Sequence, residues 1–183
     1  MFPTAHDFDS DEPDAADGDL GDDEELSYER LLWQLLLLIN PGDEEAAREQ
    51  FHAWQEMQPD GVQDEADALA ALRQAIDWKA GFLVEADDAA GFIECLDELA
   101  ARFGLQLDWN EADEAPEEND VASLIGRAHD QLREHGYTLW TWSVHGAPRE
   151  DVFAGWITLR SEGEALEIVA PSLGIELRPG SAF

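Results

Sequence analysis

The residues best suited to chemistry fall in one stretch, between Trp140 and Trp156. His145 lies close in sequence to Arg149, Glu150 and Asp151. An imidazole near a carboxylate is the pairing that general acid–base chemistry uses. Trp140 and Trp142 stand two apart, so on a strand both indoles share one face with Thr138 and Val144, while Tyr137, Leu139, Thr141 and Ser143 take the other. If Trp156 lies across from one of them on a paired strand, three indoles line one side of the sheet. Such a group either fills a core beneath helices or forms a partly exposed platform, because tryptophan is enriched where partners bind. Trp140, Trp142, Trp156, His145 and Arg149 are therefore the candidate interaction surface. A pocket among them would suit a small ligand or an enzyme's substrate.

Other chemistry-bearing residues lack the required spacing. His129 and His135 are six apart on one predicted helix, not the i, i+4 that puts two metal ligands on one face. They read as exposed helix histidines. Asp108, Glu111, Asp113, Glu114, Glu117, Glu118 and Asp120 crowd one stretch, but a calcium loop needs a central glycine and this run has none. It reads as a solvated linker. The chain carries no zinc-protease helix, no paired-cysteine motif, no nucleophile elbow and no phosphate-binding glycine pattern. No catalytic residue, metal ligand or cofactor is assigned.

Charge narrows the function classes. Among 183 residues, 43 acids face 10 bases, a net charge of −33. Phosphate backbones and anionic lipid are bound through clustered lysine and arginine, so direct nucleic-acid or membrane binding is not expected. A basic protein partner is favoured electrostatically. Only one lysine, Lys79, is present, as suits a GC-rich genome or salt adaptation. The lone cysteine, Cys95, excludes an intramolecular disulfide and reads as a small hydrophobe on a helix's buried face. The N-terminal residues lack the basic and apolar regions of a signal peptide, and the longest apolar run, Leu35 to Ile39, is too short for a bilayer, which implies a cytoplasmic protein.

These residues need elements to position them. Residues 1–25 hold eleven acids and no lysine or arginine, the composition of a disordered tail. Residues 26–183 read as one α+β domain, with a helical part over 26–78. Ser27 opens a helix with Leu31, Leu32, Leu35, Leu36 and Ile39 at helical spacing, stopped by Asn40-Pro41-Gly42. Asp43 caps a second helix bearing Ala47, Phe51, Trp54 and Met57, and a third runs from about Asp64 to Trp78. Phe82–Val84 is a short strand; Asp88 caps a helix ended by Gly104; Leu105–Trp109 alternates as a strand does. After an acidic loop over 110–119, a helix spans about Asp120 to His135, with strands over Tyr137–Val144 and Phe153–Arg160, the second antiparallel to the first. A short helix, Glu164–Leu173, and a strand, Ile175–Leu177, close the chain.

Residues 79–109 and 120–178 correspond approximately. With Gly104 set on Gly174, Leu96 falls on Leu166, Leu99 on Val169, Phe103 on Leu173, Leu105 on Ile175 and Leu107 on Leu177. This predicts two related strand–helix–strand units on one mixed sheet, with helices packed on it and the N-terminal helices to one side.

Gln131-Leu132-Arg133-Glu134-His135-Gly136-Tyr137, the aromatic strands around Trp140-Thr141-Trp142 and Trp156-Ile157, and Ala170-Pro171-Ser172-Leu173-Gly174-Ile175 together resemble a family of uncharacterised bacterial proteins, a domain of unknown function. The resemblance covers residues 120–178, with Trp78 to Trp109 as a looser echo. It implies a shared fold and carries over no catalytic residue.

The expected function is a non-catalytic acidic module, an adaptor, inhibitor or immunity-like protein, that engages a basic partner. Two other classes stand beside it. One is a nucleic-acid mimic with carboxylates spaced like phosphates. The other is a ligand binder or enzyme using the aromatic sheet face. Convergence of Arg127, Arg133, Arg149, Arg160 and Arg178 on that face would make a local anion site. No oligomeric state is assigned.

Overall fold

The computed structural model describes residues 20–59, 61, 62, 64–76, 79–109, 120–144 and 152–183. Helix α1 spans Leu20–Ile39, α2 Glu44–Met57 and α3 Glu65–Ala75. Strand β1, Gly81–Glu85, leads to α4, Ala89–Ala101, and then α5, Val121–Glu134. Strands β2, Tyr137–Val144, and β3, Val152–Leu159, precede α6, Gly163–Ser172, and β4, Ile175–Pro179.

Local signals account for most boundaries. The carboxylates of Asp43, Asp64, Asp88 and Asp120 accept hydrogen bonds from the backbone N–H of Ala46, Ala66, Gly91 and Ser123, satisfying donors that a helix start leaves open. Helix α1 begins at Leu20, so residues 20–25 are helical rather than tail. Helix α3 stops at Ala75, because Ile76 is already extended. Residues 1–19 and the acidic loop 110–119 lie outside the described residues.

The fold is α+β. The four strands lie in the order β1-β3-β2-β4, and every pairing is antiparallel. The expected mixed sheet is thus antiparallel throughout. Parallel strands arise only as next-but-one neighbours: β1 and β2 flank β3, and β3 and β4 flank β2. Both crossovers step the same way across the sheet, but their strands run in opposite directions. Two crossovers of the same hand must then lie on opposite faces. Accordingly, α4 and α5 cover one face and α6 the other.

The sheet therefore separates two cores. One joins Leu32, Leu35, Leu36 and Ile39 of α1, Trp54 of α2, Leu69 and Leu72 of α3, and Leu166 and Val169 of α6 to Trp140, Trp142 and Trp156 of the sheet. The other joins Phe92, Leu96 and Leu99 of α4 and Leu124, Ile125 and Leu132 of α5 to Phe82, Val84, Leu139 and Ile157. The Trp54 indole donates to the Ala68 carbonyl at 3.0 Å, tying α2 to α3.

The second half of the first predicted unit is not a strand. Gly104 and Gly174 both end their helices at positive φ, 69° and 73°. After Gly174 the chain enters the sheet as β4. After Gly104, Leu105–Trp109 pairs with no strand among the described residues and is held between helices instead. Trp109 donates from its indole to Asp97 of α4 at 2.9 Å, and Arg127 of α5 donates to the Trp109 carbonyl at 2.9 Å. Alternation reports that one side of a segment is buried, and here helices do the burying; it does not by itself supply a ladder partner.

Candidate functional site

Antiparallel pairing sets Trp140 directly opposite Trp156 and Trp142 opposite Ala154. Residues opposite one another share a face, so the three indoles stand together on the side of α1, α3 and α6. Trp142 stacks on Trp156 with ring centroids 5.1 Å apart and planes 24° from parallel. The Trp140 indole donates to the Thr158 hydroxyl at 3.1 Å. Among the described residues nothing accepts from the Trp156 indole N–H, although Trp156 is wholly buried.

Burial separates these side chains. Trp140 and Trp156 belong to the core and form no exposed platform. Trp142, 9% exposed, reaches the wall of a cleft of about 210 Å³ beside edge strand β1. His145 and Arg149 lie outside the described residues.

The cleft holds an arginine that the sequence did not single out. Arg73, in the last turn of α3, sets its guanidinium carbon 5.9 Å from the Trp142 ring centroid. Ile76, Leu83, Ala154 and Cys95 complete the apolar wall, and Leu83 is 57% exposed. Its spacing within α3 carried no signal, because Arg73 meets Trp142 only through the packing of α3 on the sheet. The arginines expected to converge are otherwise engaged or placed: Arg127 holds the Trp109 carbonyl, Arg178 lies over the Phe183 ring, Arg133 is exposed in the last turn of α5, and Arg160 is exposed just after β3.

Two further expectations change. His129 is buried, not exposed: it follows Ile125 by one turn on the inward face of α5, and its Nδ1 lies 3.3 Å from the Leu139 carbonyl oxygen. Of the two, His135 alone is exposed, at the end of α5. Cys95 is partly buried at the cleft wall. Burial, then the carboxylates of Glu98, Glu94 and Asp88, raise its thiol pKa above the ordinary value.

A second groove, about 360 Å³, runs along α2. Asp43, Glu45 and Glu49 line it, with Lys79. Glu45, Glu49, His52 and Glu56 follow at i, i+4, i+7 and i+11, and all four are exposed. They occupy the outward stripe of α2, opposite buried Ala47 and Trp54. This stripe was legible in the sequence as the complement of the apolar face. Among the described residues no group of three histidines, cysteines or carboxylates is arranged to hold a metal ion, and no helix is long and apolar enough to cross a membrane.

An antiparallel four-stranded sheet with helices on both faces, a buried tryptophan group and an acidic outer surface defines the class. The chain belongs to the family described as a domain of unknown function (DUF6630), whose model matches residues 31–180. Comparison with curated proteins and with solved structures found no match.

Proposed function

We propose that this protein is a non-catalytic acidic binding module, an adaptor, inhibitor or immunity-like protein, that engages a basic protein through the groove and outer stripe of α2. The carrying observation is that groove: three carboxylates, Asp43, Glu45 and Glu49, along one helix, continued by exposed Glu56. Lys79 lines it too, and two arginines nearby are held locally. Arg48 pairs with Glu44 at 2.9 Å, and Arg102 donates to the Lys79 carbonyl and to Asn40 while standing 3.7 Å from Asp43. Were every base in the chain matched to one acid, the charge of −33 would remain. That field speeds encounter with a basic surface, and salt weakens it. A compartment that keeps the lone thiol reduced, the cytoplasm, suits the reading.

Affinity capture from host lysate, eluted by a salt gradient, tests it. The expected result is one basic protein released sharply at moderate salt by the native chain and not retained by a Glu45→Lys, Glu49→Lys variant. Equal retention by both chains would place the partner elsewhere. A captured nucleic-acid-binding protein displaced by DNA or RNA would favour the mimic.

A further inference from the structure

Arg73 stands half-buried at the cleft wall, and among the described residues its guanidinium meets no carboxylate within 4 Å. Its contact is the face of Trp142. A guanidinium over an indole face is attracted to the ring and still has N–H donors with which to meet a carboxylate. Next to it the cleft wall is mainly apolar, with Ile76 from the end of α3, Leu83 from β1 and Ala154 from β3. Leu83 and Ala154 are register partners, and Trp142 is opposite Ala154, so these three form one row across the sheet. The exposure of Leu83 leaves a large apolar side chain facing solvent at the mouth of a cavity, where a ligand would cover it.

We propose that this cleft binds a small carboxylate with an apolar body, the carboxylate on Arg73 and the body against Trp142, Leu83 and Ile76. The site shares no residue with the α2 groove and does not depend on it. Ligand size follows from the space of about 210 Å³, enough for a single aromatic or branched aliphatic acid. Selectivity follows from chemistry: a neutral amide of the same shape offers Arg73 no charge, and a dianion adds repulsion from the surrounding acids.

The test uses phenylacetate and 4-methylpentanoate as probes and phenylacetamide as the neutral match, on the full chain. Binding is read by ligand-observed NMR and by protection of Cys95 from alkylation, since that thiol lines the cleft and is the one cysteine in the chain. The carboxylates are expected to bind and to slow alkylation, and phenylacetamide to do neither. Arg73→Gln is expected to weaken carboxylate binding at least about ten-fold, with Arg73→Lys between the two. No binding by either acid, equal binding of the amide, or full affinity in Arg73→Gln with an unchanged circular dichroism spectrum would each overturn the proposal. If Arg73→Gln does not fold, the acid-versus-amide comparison on the native chain decides alone.

Discussion

The side-chain amide of Gln131 clasps the backbone of Asp108. Its Oε1 accepts from the Asp108 N–H at 2.7 Å, and its Nε2 donates to the Asp108 carbonyl at 2.9 Å. One glutamine on α5 thus offers Leu105–Trp109 the donor and acceptor that a neighbouring strand would have offered. Gln131→Leu keeps the side chain's bulk and removes both bonds. We expect a loss of about 1–2 kcal/mol in urea unfolding, and faster hydrogen exchange at Asp108, with β1–β4 amides changed only by the global loss.

Gly155 lies in the middle of β3, with the Phe82 ring crossing it. A Cβ there would sit inside van der Waals contact of both that ring and the Trp140 carbonyl oxygen. The carbonyl belongs to a paired strand and cannot yield without loosening the ladder. Gly155→Ala is expected to cost about 3 kcal/mol by chemical denaturation, and Phe82→Ala in that background to recover only part of it.

Trp140 and Trp156 face each other across β2 and β3, yet among the described residues only Trp140 has an acceptor for its N–H, the Thr158 hydroxyl. Replacing either with phenylalanine removes the same atoms. Trp140→Phe also leaves Thr158, itself fully buried, without that donor. Trp140→Phe should therefore be the more destabilising of the two by about 1 kcal/mol, read from paired urea titrations.

Asp120 caps α5. The hydrogen bond from the Ser123 backbone N–H, then that from its hydroxyl, lower the Asp120 pKa below the ordinary aspartate value. A carboxylate with a depressed folded pKa adds stability above its unfolded value, and loses that contribution as pH falls through the folded one. Asp120→Ala should lower stability by about 1 kcal/mol at neutral pH. The gap between native and variant chains should narrow from about pH 4 downward, and a gap independent of pH would assign the effect to packing rather than the cap.

Much of this arrangement was readable from residue order. Aspartate caps, apolar stripes at 3.6-residue spacing and the aromatic alternation of 137–144 are local, and locate α2, α4, α5, β2 and β3 nearly to the residue. The shared face of Trp140 and Trp142 followed from the two-residue period of a strand. The helix at 20–25 was missed because its composition is that of a solvated tail. His129 was missed because its place on the α5 stripe matters only once β2 closes over it.

The sequence by itself determined the elements, their buried sides and a surface charge that no internal pairing can cancel, because periodicity and composition act over a few residues or over the whole chain. Tertiary structure alone decided what each buried side meets. It directed α4 and α5 to one face and α6 to the other, since strand order and crossover hand involve residues far apart in the chain. It gave Leu105–Trp109 helices instead of a strand as neighbours. It placed Arg73 over Trp142, 69 residues away, where a guanidinium and an apolar wall meet. Long-range packing creates such a pairing, and no spacing along the chain encodes it.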